Sequence, residues 1–251
     1  AGALDAGLAS ATGEFIAIFD ADFVPPERFL SDTIRWFSAE VGMVQTRWGH
    51  LNATADWLTG VQATLLDGHF VIEHTARHRS GRWFNFNGTA GVWRRTAIED
   101  AGGWQHDTIT EDLDLSYRAQ MKGWRFVYLE DVVAKAELPA SMGAFKSQQH
   151  RWAKGSIQTC RKLIAKIWLC EAPAAIKLEA TAHLTANFTY PVVLLLSLLL
   201  PWAGLARVTL SPGAWFTLDT LLLVAVVCPF LAFYGTAVRQ SGHGVIRQRW
   251  K

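Results

Sequence analysis

Over residues 1–143 the apolar positions switch between two periods. Leu4 and Leu8 stand four apart and predict a helix that Gly13 stops. Residues 15–19 are continuously apolar, the mark of a buried strand. Pro25 and Pro26 break the chain before an amphipathic helix at 27–37, and residues 41–48 read as a second strand. A long helical pattern over 54–79 carries Leu58, Val61, Leu65, Val71 and Ile72 on its apolar side. Residues 84–93 predict a strand interrupted by a close backbone approach at Gly88. A short helix at 96–101 ends at Gly102 and Gly103. Thr110 is placed to cap a helix over 111–122 that Gly123 ends, and 125–129 is a further strand. Strands alternating with helices predict an α/β domain.

From about residue 144 the pattern changes. Phe145, Trp152, Leu163 and Ile167 are spread among Lys146, Arg151, Lys154 and Lys162. Basic and large apolar residues mixed on a helix suit a membrane surface; packing on the domain is the alternative. No Asp, Glu, Lys or Arg lies between Glu179 and Arg207, or from Thr220 to Val238. Both intervals are long enough for a bilayer span of about 20 residues. The expected organisation is an α/β domain at 1–143, interfacial helices at 144–179, and a transmembrane hairpin at 180–251 with spans at about 182–206 and 217–238. Lys and Arg gather before the first span (Arg161, Lys162, Lys166, Lys177) and after the second (Arg239, Arg247, Arg249, Lys251). By the positive-inside rule the α/β domain is cytoplasmic. Asn187, Tyr190 and Pro191 are polar or helix-breaking and are expected to face a protein-lined path rather than lipid.

Composition narrows the classes. A net charge of +2 over 251 residues gives no footprint for nucleic acid. The three cysteines, Cys160, Cys170 and Cys228, have neither disulfide-framework nor metal-ligand spacing, and are expected to be buried or membrane-facing. The chain opens without Met inside an apparent helix and reads as a piece of a longer protein.

Three clusters carry chemistry. Asp20 and Asp22 follow the 15–19 strand at once. In an extended backbone, residues two apart point the same way, so both carboxylates reach one point beyond the strand's carboxyl end, where open α/β sheets bind ligands. A divalent cation relieves their repulsion; Mg²⁺ or Mn²⁺ suits oxygen ligands completed by substrate phosphates. The plainer reading is a solvated turn. Glu111 and Asp112, with Asp114 behind them, open a helix whose N-terminus favours an ionised carboxylate. Burial beside other acids would return Asp112 towards the neutral pKa of a general base. The plainer reading is helix-start acids. Gln148, Arg151 and Trp152 share one helix face and offer an amide, a guanidinium that can grip a diphosphate, and an indole that can stack on a sugar.

In this order, followed by membrane spans, these clusters resemble the processive family 2 glycosyltransferases, relatives of the cellulose, chitin and hyaluronan synthases. Residues 44–51, 86–94 and 147–155 look most like the cellulose synthase-like branch that includes mannan and glucomannan synthases. The resemblance implies an N-terminally truncated GT-A (Rossmann-like) fold at the cytoplasmic face of a bacterial inner membrane or a Golgi membrane. It puts the cation on Asp20 and Asp22, the base at Asp112, and the donor diphosphate at Gln148 and Arg151. Trp152, Gly88, Thr89 and Glu111 fall at the acceptor. The implied reaction is inverting transfer of a hexose from UDP-glucose or GDP-mannose to a growing β-glycan that is exported. The family's earlier nucleotide-binding strand and later membrane helices are not in the chain, so this piece alone is expected to be inactive. Three other readings stand beside it. An aspartate-nucleophile phosphatase would use Asp20 and Asp22 with a downstream Lys. A non-processive enzyme of the same fold would glycosylate a lipid phosphate. A membrane scaffold would do no chemistry.

Overall fold

The computed structural model describes residues 2–207 and 212–241. Four strands form one mixed sheet: β1 (Phe15–Ile18), β2 (Val41–His50), β3 (Gly91–Arg94) and β4 (Arg125–Ala136), in the order β1-β3-β2-β4. β3 runs antiparallel to β1 and β2, while β2 and β4 are parallel. Helices α1 (Gly2–Ser10), α2 (Phe29–Ile34), α3 (Trp57–Asp67), α4 (Thr75–Arg79), α5 (Arg95–Asp100) and α6 (Glu111–Met121) surround it. The core gathers Met43 and Trp93 from the sheet, Phe84 and Phe86 from the segment before β3, Ile98 from α5 and Leu115 from α6.

Several expected elements differ; β4 runs on to Ala136 instead of ending at 129, and α2 is shorter than the 27–37 helix. The 54–79 helix starts at Trp57, where Asp56 accepts from the Thr59 N–H at 2.8 Å, and residues Gly68–His74 widen into a π-helix before α4. Near-continuous helix hides such a turn from a 3.6-residue pattern. The strand at 84–93 shrinks to β3. Residues 84–87 find partners in side chains instead: Phe84 N–H and C=O pair with the Gln120 amide at 3.2 and 2.9 Å. Phe86 N–H donates to Ser116 Oγ at 2.9 Å and Asn87 N–H to Gln45 Oε1 at 3.0 Å. Those bonds satisfy a buried backbone without a ladder. Thr110 makes no cap bond; its hydroxyl lies 3.3 Å from that of Thr159.

A 28-residue helix, α7 (Met142–Leu169), leads to α8 (Ala174–Thr185), and a 3₁₀ turn joins α8 to α9 (Thr189–Arg207). α10 (Pro212–Ser241) follows. Part of the apolar surface of α7 is covered by protein: Cys160, Leu163 and Ile167 pack with Leu113 and Tyr117 of α6 and Leu184 of α8, while Trp168 and Leu169 remain exposed. The two stretches Ala174–Arg207 and Trp215–Ser241 are long and apolar enough to cross a membrane. Their most apolar windows are 0% and 6% buried, so they are not core helices. Arg207 at the end of α9 pairs with Asp219 of α10 at 2.6 Å. Arg247, Arg249 and Lys251 lie outside the described residues. Cys160 is buried and Cys228 exposed on α10. Asn187 lines a cavity, whereas Tyr190 is exposed among the apolar residues of α9.

Candidate active site at the junction of two cavities

Eight of the nine residues singled out in the sequence meet on the wall of one cavity of about 600 Å³: Asp20, Asp22, Gly88, Glu111, Asp112, Gln148, Arg151 and Trp152. They come from the end of β1, the loop before β3, the start of α6 and the first half of α7. A second cavity of about 670 Å³ shares Asp112, Gln148 and Trp152 and extends to Asn187 at the foot of α9. Asp112 therefore stands where the two meet.

Asp20 and Asp22 come together through a turn rather than an extended strand, since Phe23 N–H donates to the Asp20 carbonyl at 3.0 Å. Thr89 is buried and lines neither cavity; its hydroxyl accepts from the Asp20 N–H at 2.8 Å and fixes where that turn begins. Solvent reaches Asp20, yet partial burial raises its carboxyl pKa, with help from the charges of Asp22 and Glu111. A cation would relieve that repulsion. Among the described residues no three of His, Cys, Asp or Glu form a metal cage. Two carboxylates completed by phosphate and water are the manner in which Mg²⁺ is usually held, so the donor set fits.

Asp112 is raised from 3.8 to about 7. Burial is the leading cause; Glu111 and Asp20 add to it, while the backbone N–H groups of Leu113 and of Asp112 itself hold it down. Its carboxylate sits against Gly88, where a Cβ would stand 3.3 Å from Oδ2 and the φ of +82° is costly for any other residue. The loop continues through Ala90 at φ +55°. Gln45, fully buried in β2, grips it: its amide N–H donates to the Thr89 and Ala90 carbonyls, both at 3.1 Å. Asp114 takes a different role. It is fully buried, paired with Arg118 at 2.8 Å and Lys162 at 2.9 Å, and so ties α6 to α7.

α7 reaches the site because Gly155 lets it. A Cβ there would meet Thr110 Cγ2 at 2.4 Å and Oγ1 at 2.6 Å. Thr110 is too short to yield, so Gly155→Val must push α7, with Gln148, Arg151 and Trp152, away from Asp112. Misplacement on the scale of 1 Å costs about 10²-fold in rate. Full-length Gly155→Val should lose activity at this site on that scale while still folding; undiminished activity would show that this contact does not set the geometry.

The larger cavity has a different wall. The π-turn presents His69 and Glu73, 2.9 Å apart, and His69 also approaches Asn87 Oδ1 at 3.4 Å. Burial opposes ionisation of Glu73, but His69 and Arg77 outweigh it and hold its pKa below the ordinary value. Arg77 pairs with Glu179 at 2.8 Å and lies 3.7 Å from Glu73. Phe145, Trp48 and Trp152 supply aromatic surface. Gln45, Asn87, Gly155 and the His69–Glu73–Arg77 group were not singled out in the sequence. Gln45, Asn87 and Gly155 do fall within the stretches 44–51, 86–94 and 147–155 that carry the resemblance, whereas the His69–Glu73–Arg77 group gave no signal.

The model of the glycosyl transferase family group 2 matches residues 15–236, most of the chain. The chain belongs to that family. Within it, the chain is 46% identical over 156 residues to glucomannan 4-beta-mannosyltransferase 1 of Oryza sativa subsp. japonica, covering 61% of the chain and 30% of that protein. It is 38% identical over 207 residues to glucomannan 4-beta-mannosyltransferase 1 of Cyamopsis tetragonoloba, covering 77% of the chain and 39% of that protein. The chain thus spans about a third of the length of these curated relatives. Among solved structures it superposes on a mannosyltransferase from Pyrobaculum calidifontis in complex with GDP-Man and Mn²⁺. The TM-score is 0.56 at 22% identity, over 96% of the chain and 65% of that protein. This family 2 member therefore has a GT-A-like α/β fold with a mixed sheet, followed by two long apolar helices. Among the described residues no lysine lines the cavity that holds Asp20, so the phosphatase reading lacks the lysine it requires there.

Proposed function

We propose that the full-length protein transfers mannose from GDP-mannose, with inversion, to the end of a growing neutral β-glycan, from a catalytic domain on the cytoplasmic face of a membrane. The observation that carries this reading is Asp112, held near pKa 7 where two chemically different cavities meet. The smaller cavity is suited to the donor. Among the described residues its single Lys or Arg is Arg151, which has no ion-pair partner among them and is available to a diphosphate. Asp20 and Asp22 would hold Mg²⁺ or Mn²⁺ there, offsetting charge that grows on the leaving diphosphate. Asp112 accepts the proton of the acceptor hydroxyl as its oxygen attacks the anomeric carbon, and one displacement turns an α-linked donor into a β-linkage. Gln148 and Glu111 border the reacting end, and Trp152, on both walls, offers a stacking face to the acceptor sugar.

The larger cavity separates the glycan acceptor from a lipid phosphate. Among the described residues its only Lys or Arg is Arg77, already engaged by Glu179 and Glu73. An anionic lipid phosphate finds no spare cation there, while amides, aromatic rings and paired ions suit a neutral polyhydroxyl chain. The mannosyltransferase names of the relatives favour mannose over glucose. Full-length protein in membranes, given GDP-mannose with a mannan oligosaccharide and a polyprenyl phosphate in competition, should elongate the oligosaccharide. A mannosyl phospholipid as the sole product would refute the assignment.

A further inference from the structure

We propose that the outward face of α3 is seated in the bilayer interface, so that the catalytic domain rests on lipid through α3 as well as through α9 and α10. The inference rests on reading α9 and α10 as spanning helices. α3 buries Leu58 and Ala63 but leaves Trp57, Val61 and Leu65 exposed by 64%, 48% and 41%. These three stand four residues apart and form one stripe. The helix carries no Lys, Arg or Glu, and its single acid, Asp67, is buried against His50. A helix that faces water presents charged and polar residues there; this one presents a bare apolar line.

The surroundings say what covers it. α10 packs directly on α3 and the π-turn. At Gly68, one turn beyond Leu65, a Cβ would meet Phe233 Cε1 at 2.7 Å and Tyr234 Cε1 at 2.9 Å. α10 therefore meets the chain one turn beyond the α3 stripe, and carries its own exposed apolar residues, Val227, Phe230 and Leu231, nearby in sequence. Trp57 at the opposite end supplies the kind of ring that favours the headgroup level. Leu65 also stands on the wall of the larger cavity, as does Asn187 at the foot of α9. Seating α3 in lipid brings the rim of that cavity to the membrane surface.

The test uses full-length protein in lipid nanodiscs, in a Cys170→Ser/Cys228→Ala background that leaves buried Cys160. Bimane is attached to single cysteines at Val61 and Leu65, with Leu195→Cys in α9 and Lys122→Cys after α6 as references. Lipids carrying a shallow doxyl group and aqueous iodide compete as quenchers. The proposal predicts stronger quenching by the lipid label at Val61, Leu65 and Leu195, and by iodide at Lys122. Iodide quenching at Val61 and Leu65 would show a water-facing helix, and quenching by neither would show a protein cover; either overturns the proposal. Absence of lipid quenching at Leu195 would overturn the spanning reading itself, and this proposal with it.

Discussion

Asp112→Asn should raise the melting temperature of the solubilised full-length protein at pH 8 and leave it unchanged at pH 4. The folded Asp112 titrates at about 7, against an ordinary value of 3.8. A raised carboxyl pKa means that the protonated form is the comfortable one in the fold. Stability from this group is complete below about pH 4, starts to fall above it, and is fully lost above about pH 7. Asparagine never carries the charge, so its advantage grows across that window and then levels off. One pKa unit corresponds to about 1.36 kcal/mol; with some solvent contact remaining, a gain of roughly 2 kcal/mol is expected. The measurement is made in EDTA, so that no cation masks the repulsion. In the wild type, transfer should fall below about pH 7 as the base becomes protonated. Because burial leads the shift, this acid limb persists when a cation neutralises Asp20 and Asp22. A variant less stable than wild type at pH 8 would mean that Asp112 is a structural acid, comparable to Asp114.

Asp22→Asn should abolish Mg²⁺- or Mn²⁺-dependent transfer. The argument is one of charge. The turn at Asp20–Asp22 concentrates two carboxylates beside Glu111, and the resulting repulsion is already visible in the raised Asp20. Asparagine keeps the shape and one oxygen but halves the local charge available to a cation, whose stabilisation of the leaving diphosphate is worth several kcal/mol. Mn²⁺ binding followed by paramagnetic relaxation gives a readout independent of turnover, and it should weaken in parallel. Unaltered Mn²⁺ affinity together with full transfer in Asp22→Asn would remove the pair from the mechanism.

Much of this was legible in the sequence. The continuous apolar run of β1, the acids that follow it, and the amphipathic α6 with Asp112 in its first turn are local signals that survive without tertiary context. What was not legible depended on distant partners. Residues 84–87 read as a strand because the aromatic Phe84 and Phe86 alternate with the polar Asn85 and Asn87. Their backbone groups are satisfied instead by Gln45, Ser116 and Gln120, which lie 30 to 42 residues away. Gln45 reads as a polar interruption of β2, and only the fold shows it gripping the Thr89–Ala90 carbonyls. The mixed face of α7 suited a membrane surface by composition; the fold packs its Cys160, Leu163 and Ile167 on Leu113, Tyr117 and Leu184 and leaves Trp168 and Leu169 exposed. Thr89 was placed at the acceptor by resemblance; its observed bond is to the backbone of Asp20.

The most direct test of Asp112 as the base measures GDP-mannose binding and polymer output on the same membranes, for wild type and Asp112→Asn. Donor contacts assigned to Asp20, Asp22 and Arg151 are intact in the variant, so affinity should change little. Transfer should fall by about 10²- to 10⁴-fold, the worth of a general base. Such a loss confined to turnover marks an interaction made in the transition state. Normal polymer synthesis by Asp112→Asn, with donor bound equally well, would contradict the mechanism.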